Sequence, residues 1–308
     1  MVSYLSLILL LVMQAPPQTD ALYRSGLASL QARHFQEAEA SFREVYRLDP
    51  ENIRGLAGIA QTYIAQAKFT DALDLLRSES EKQPKRADIH VAIGETAALS
   101  GQPDAALAEF QKALGLLDVV STQTAGIYLR IGEVCRLKGD SKASLEALRK
   151  AAELAPRDAT ILASLGMGLD NEGDRKGAME KYRASLAINA QNPVVQNNLA
   201  FIIADTGGDY YEALRLARAA KDSSPGTIEI SDTIGWISLK LGWVDEAIDG
   251  LSDVVRAQPD KKSFREHLLA AISQKRNPPP AFKDLKAALL EDPTPANQQK
   301  IRELLKKP

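Results

Sequence analysis

Apolar side chains recur every three or four residues along most of the chain, which is the spacing of one face of an α-helix. Residues 234–255 show the pattern well. Gly242 interrupts it, Asp245 and Glu246 then place negative charge where a helix amino terminus favours it, and Pro259 ends it. The pattern predicts two amphipathic helices joined by a short turn. Strand-like alternation does not compete with it after the amino-terminal segment.

This helix pair recurs along the sequence, at intervals of 34 residues in most cases. Small residues mark the second helix of each pair at Ala38, Ala72, Ala106, Ser144, Ala178, Ala213, Ala247 and Ala281. A series in the first helix runs through Gly26, Ala60, Gly94, Gly132, Gly166, Ala200, Gly235 and Leu269. Both series share the same longer interval, which indicates four inserted residues near Val119 to Thr122, and a single extra residue is placed at Gly207-Gly208. The chain is therefore read as an internal repeat.

The small residues predict that the two helices of a pair approach closely, with a larger side chain filling the space beside them. The larger side chains are Phe42, Leu76, Phe110, Leu148, Tyr182 and Leu251. Unit six departs from the pattern with Ala217 at this slot. Unit eight departs with Leu269 and with three prolines, 278–280, at the start of its second helix.

The period, the small residues, the aromatic slot and the closing proline resemble the tetratricopeptide repeat family. The stretches 197–201 and 232–236 resemble repeats common in bacterial envelope proteins. The resemblance implies an all-α fold, a right-handed α-solenoid of helix-turn-helix repeats. The predicted repeats are 19–52, 53–86, 87–120, 125–158, 159–192, 193–227, 228–261 and 262–295, followed by a capping helix in 296–308.

The amino terminus carries an apolar run from Leu5 to Met13, broken only by Ser6. Nine helical residues cover about 14 Å, well short of a hydrocarbon core of about 30 Å. Residues 1–18 are therefore predicted to be a signal peptide and short linker. No Lys or Arg precedes Arg24, and cleavage after Ala21 would cut into the first predicted helix. The alternative is a short buried or interfacial helix that caps the fold.

Composition and charge exclude several functions. A net charge of −2 argues against nucleic acid as a partner, since phosphate contact needs a concentrated basic surface. The single cysteine, Cys135, excludes an internal disulfide framework, and His34, His90 and His267 lack metal-ligand spacing. No nucleophile turn and no phosphate loop with its Lys is present. We expect a non-enzymatic protein with no catalytic, metal or cofactor site.

Recognition by the concave face is the remaining expectation. Family geometry implies that its side chains include Arg130, Glu133, Arg136, Asn197, Phe201, Asp232 and Trp236. An amide and two aromatic rings would suit an extended peptide. Two alternatives stay open: Phe201 and Trp236 fill the joint between neighbouring units, or the charged side chains of unit four form a local ion network.

The sequence thus predicts a scaffold or adaptor that binds a protein or peptide partner of unknown identity. A component of an exopolysaccharide or secretion assembly, associated with a membrane-bound complex, is the alternative, as is an accessory subunit of an enzyme complex. The predicted location is periplasmic or secreted, with the cytoplasm as the alternative. Fold alone does not choose among these functions.

Overall fold

The computed structural model describes residues 17–117 and 121–306, and all the regular structure in these ranges is α-helical. The predicted all-α fold class is confirmed. Residues 1–16, with the apolar part of the predicted signal peptide, lie outside the described ranges, as do residues 119 and 120 of the predicted insertion. The chain divides into two compact units, 1–155 and 156–308.

The first unit contains eight described helices in four consecutive pairs. They are α1 (Pro17–Gln31), α2 (Phe35–Leu48), α3 (Ile53–Ile64), α4 (Phe69–Lys82), α5 (Ala87–Leu99), α6 (Pro103–Gly115), α7 (Thr122–Leu137) and α8 (Ser141–Leu154). Each helix packs against the next, and the first helices of successive pairs, α1, α3, α5 and α7, also contact one another in that order.

The second unit contains nine described helices. They are α9 (Ala159–Asn171), α10 (Arg175–Ile188), α11 (Pro193–Asp205), α12 (Tyr210–Ser223), α13 (Ile228–Lys240), α14 (Val244–Ala257), α15 (Lys262–Gln274), α16 (Ala281–Leu290) and α17 (Pro295–Leu304). Consecutive helices pack together here as well, and α13 contacts both α11 and α15. Helix α17 buries Ile301 in a cluster with α14, α15 and α16. The limits of the eight predicted repeats stay a prediction.

Close approach within each helix pair depends on the small residues of the first helix. A Cβ added at Gly166 would lie 2.7 Å from the ring of Tyr182, and one at Gly94 would lie 2.6 Å from the ring of Phe110. Gly132 faces Leu148 in the same way, at 2.7 Å. These larger side chains are almost completely buried. The predicted pairing of small residue and filled slot is confirmed at these positions.

One residue in the turn of each hairpin has a left-handed backbone. Five of these are glycines, for which φ > 0 carries no steric cost: Gly101, Gly139, Gly173, Gly207 and Gly242. Arg33, Ala67 and Asn277 hold the same conformation, with φ of 63°, 58° and 53°. The first, second and eighth hairpins therefore have the same turn geometry, at a conformational cost that glycine would avoid.

No helix of the described chain is both long enough and apolar enough to cross a membrane.

Candidate protein-interaction site

Three aromatic rings come together in the second unit, from the first helices of three successive pairs. Phe201 lies on α11, Trp236 on α13 and His267 on α15. The rings of Trp236 and His267 stack, with centroids 4.5 Å apart and planes inclined by 22°. The Phe201 ring lies 6.1 Å from the His267 ring, at 39°. The imidazole therefore contacts rings from both other helices.

The orientation of the imidazole is set by Asp232, one turn before Trp236 on α13. His267 Nδ1 donates to the Asp232 carboxylate, at 2.8 Å from Oδ2 and 3.0 Å from Oδ1. Asp232 is 5% exposed, so this hydrogen bond supplies the partner that a buried carboxylate requires. The other ring nitrogen, Nε2, forms no hydrogen bond with any described residue. We call Phe201, Asp232, Trp236 and His267 the α11–α15 cluster.

Cations lie over the Phe201 and Trp236 rings of this cluster. Lys240 Nζ is 4.3 Å from the Trp236 ring centroid, and the Arg175 guanidinium is 6.0 Å from that of Phe201. Arg175 also donates to Asp170 at 2.7 Å. Burial raises the pKa of Asp170, and the adjacent guanidinium only partly opposes that rise. The rings thus carry cationic as well as apolar contacts.

A narrow groove of about 230 Å³ runs beside the amino-terminal halves of α11 and α13. Asn197 and Asn198 both line it, together with Val194. Asn198 already has a hydrogen-bond partner within the chain, because its Nδ2 donates to the Tyr182 hydroxyl at 3.4 Å. Asn197 Oδ1, in contrast, is buried and has no hydrogen-bond partner. The indole Nε1 of Trp236 is also buried and unpaired. Buried polar atoms are rarely left unpaired, and Gln196 Oε1 on α11 is a third such atom in this region.

In the first unit, the three candidate residues lie on α7 but do not bond to one another. Arg130 donates to Glu95 on α5 and to the carbonyl of Gly126 at 3.0 Å. Glu133 and Arg136 are exposed. The structure therefore replaces a local network on α7 by an ion pair between successive first helices. Arg130 and Glu133 border a groove with Leu99 and Leu137, which are 64% and 68% exposed.

Ser80, His90 and Glu109 have the connectivity of a hydrolytic triad. His90 Nδ1 donates to Glu109 at 2.7 Å, and Ser80 Oγ lies 3.4 Å from Nε2. Ser80, however, lies within α4, where the backbone N–H groups are committed to the helix, so no donor is left to stabilise an oxyanion. We interpret this arrangement as a buried polar contact between α4, α5 and α6.

Other reactive groups are isolated within the described chain. Cys135 is buried, and burial raises the pKa of its thiol, which lowers its reactivity. No group of three or more His, Cys, Asp or Glu side chains in residues 17–117 and 121–306 is arranged to hold a metal ion.

Sequence reasoning missed the role of His267, although one signal was present. His267 follows Asp232 by 35 residues, about one repeat, and Arg130 follows Glu95 by the same interval. Each pair joins neighbouring first helices, at positions offset from the equivalent ones, which are Gly94 and Gly132 in one case and Gly235 and Leu269 in the other. Complementary side chains at that separation therefore indicate contacts between repeats.

The array of helical hairpins defines a helical repeat protein. A family model described as tetratricopeptide repeat matches residues 29–94, and another with the same description matches 125–158. The chain therefore contains tetratricopeptide repeats in these stretches. No curated protein matches its sequence significantly.

Solved structures of low sequence identity share the fold. A chain of the APC/C hetero-tetramer Cut9-Hcn1 is 16% identical, with a TM-score of 0.63, over 82% of this chain and 49% of that one. This chain thus spans about half the length of that relative. Pseudomonas aeruginosa pilF is 18% identical, with a TM-score of 0.56, over 70% of this chain and 96% of its own. YrrB, described as a TPR protein with an unusual peptide-binding site, is 20% identical, with a TM-score of 0.51, over 62% and 96%. At these identities the likeness shows the fold alone.

Proposed function

We propose that this chain is a non-enzymatic scaffold that binds an extended segment of a partner protein on the first helices of its second unit. The repeats and their structural relatives support a protein–protein interaction scaffold. The choice of surface rests on one observation: buried polar atoms without partners, Asn197 Oδ1 and Trp236 Nε1, belong to adjacent first helices. One accepts and the other donates, which suits the two hydrogen-bonding groups of a peptide backbone.

The α11–α15 cluster supplies a rigid surface beside these groups. Because Asp232 fixes His267, and His267 stacks on Trp236, the cluster would lose little conformational freedom when a partner binds. A glycan is a weaker candidate, because sugar rings stack on free aromatic faces. Here Lys240 and Arg175 already lie over the two rings.

Partner capture with matched variants tests this proposal. The full chain, carrying a photo-crosslinking side chain at Val194 (57% exposed, in the groove), is expressed in its native cells, and crosslinked proteins are identified. Trp236→Ala and Asn197→Ala should each reduce recovery of the same partner about tenfold or more. Trp243→Ala is the control, since this other tryptophan lies outside the cluster and is 36% exposed. Equal recovery with all three variants would exclude this surface.

We also propose that the protein is exported, on the basis of the apolar run from Leu5 to Met13. Amino-terminal sequencing of the protein purified from native cells tests this. A mature terminus beyond Met13 is expected, whereas an intact Met1 would refute processing.

A further inference from the structure

The solvent-facing side of α12 carries an unusual stripe of side chains. Tyr211, Arg215, Arg218 and Asp222 are all exposed, and their spacing of four, three and four residues aligns them along one side of the helix. Tyr211 is 66% exposed. Between them runs a shallow groove of about 410 Å³, with Leu214 among its lining residues. This surface belongs to the second helix of its pair, so it is separate from the α11–α15 cluster.

The two arginines are uncompensated. Neither guanidinium forms an ion pair or a hydrogen bond with any residue of the described chain. In contrast, Arg183 on α10 reaches Glu212 at 3.1 Å, and Lys150 on α8 pairs with Glu146 at 3.0 Å. The stripe therefore presents two free guanidinium groups about one helical turn apart.

Comparison among the units shows that Arg215 reverses the usual charge. It lies two residues after the small residue Ala213. Four other units have an acidic residue at this position, and unit eight has Lys283. The acidic residues are Asp74, Glu146, Glu180 and Asp249. Packing of the hairpin does not require a basic residue at this position, because the Arg215 side chain is exposed.

We propose that this stripe of α12 is a second interaction surface, which docks an acidic segment of a protein partner. Arginine binds carboxylates through paired N–H donors. Side chains three residues apart on a helix are about 5–6 Å apart at Cβ, close to the separation of alternate residues in an extended strand. Two carboxylates of an acidic segment can therefore engage both guanidinium groups. The exposed Tyr211 ring provides apolar contact beside them.

An anionic membrane fits this surface less well. Recognition of anionic lipid uses clusters of about four to eight basic residues. Here the stripe offers only two arginines, fewer than such recognition uses.

The test uses labelled octaglutamate as the probe, with octaglutamine for comparison, and follows fluorescence anisotropy with the full chain at low salt. Arg215→Gln/Arg218→Gln should weaken octaglutamate binding about tenfold, since it removes two charge-assisted contacts. Lys142→Gln/Arg149→Gln is the matched control, because it removes two exposed positive charges from α8, with Arg149 at the position equivalent to Arg218. The control should bind octaglutamate within about twofold of the original protein.

Three results would overturn the proposal. The first is no preference of the original protein for octaglutamate over octaglutamine. The second is an equal loss of affinity in the two double variants. The third is binding to phosphatidylglycerol vesicles that requires both arginines, without an effect on the peptide, which would make the stripe a membrane surface. Circular dichroism of each variant establishes that the exposed substitutions leave the helices intact.

Discussion

The same substitution, glycine to alanine, should have opposite effects at two helical positions of the second unit. At Gly250 in α14, no atom lies within 4 Å of an added Cβ. Alanine there should stabilise the protein by about 1 kcal/mol, because it lowers the conformational entropy of the unfolded chain. At Gly166 in α9, the added Cβ would lie 2.7 Å from two carbons of the Tyr182 ring.

Tyr182 has little room to move. Its side chain is fully buried, and its hydroxyl accepts a hydrogen bond from Asn198. Overpacking of this kind costs about 1–3 kcal/mol. After the gain in helix propensity is subtracted, Gly166→Ala should destabilise by up to about 2 kcal/mol. The two variants should therefore differ by about 1–3 kcal/mol in unfolding free energy.

Urea unfolding followed by circular dichroism measures both variants, provided that the slope of each transition is unchanged. Gly166→Ala/Tyr182→Ala supplies the internal check, because Ala200 and Ala217 already form such a pair in unit six. In that background, the additional cost of alanine at 166 should disappear. If Gly166→Ala and Gly250→Ala shift the midpoint equally and in the same direction, the steric account of the small residues is wrong.

Three further predictions follow from local geometry. Ala67→Gly should raise the unfolding free energy by up to about 1 kcal/mol, since φ is 58° there, and urea unfolding measures it. Burial raises the pKa of Glu109, but hydrogen bonds from Lys112 and His90 outweigh it and leave the pKa lowered. Its stabilising contribution should therefore be present at neutral pH and lost as the pH falls through that lowered pKa; unfolding across acidic pH, with Glu109→Gln as control, tests this. His267→Ala should destabilise the protein by about 3 kcal/mol, because it leaves the buried carboxylate of Asp232 unpaired. Adding Asp232→Asn should restore part of the lost stability, and thermal unfolding measures both variants.

Much of the fold was predictable because the same packing contact recurs in successive repeats. Gly166 and Tyr182 are separated by the same interval as Gly94 and Phe110, so the sequence alone indicates which side chains meet within a hairpin. Turn positions were predictable where glycine occupies them. Ala67 carries no such signal, because alanine does not favour a left-handed backbone.

The candidate site was less predictable, because it depends on side chains from different repeats. Trp236 was predicted to lie on the concave face or in the joint between neighbouring units, but its contact with His267 depends on how α13 and α15 pack. Whether the guanidinium groups of Arg215 and Arg218 are paired depends on which acidic side chains reach them. A helical pattern does not specify those side chains. Periodicity determines the face on which a residue lies, whereas its ion-pair partner depends on the three-dimensional packing of the helices.

The short separation between Gly166 and Tyr182 also bears on how the chain folds during synthesis. These residues are only 16 positions apart, so a hairpin can close its central contact over a short loop at low entropic cost. Proteins dominated by such local contacts fold rapidly, and repeat arrays can nucleate at one unit and extend to its neighbours. Each hairpin can thus form soon after it leaves the ribosome, before the units that follow it have been translated.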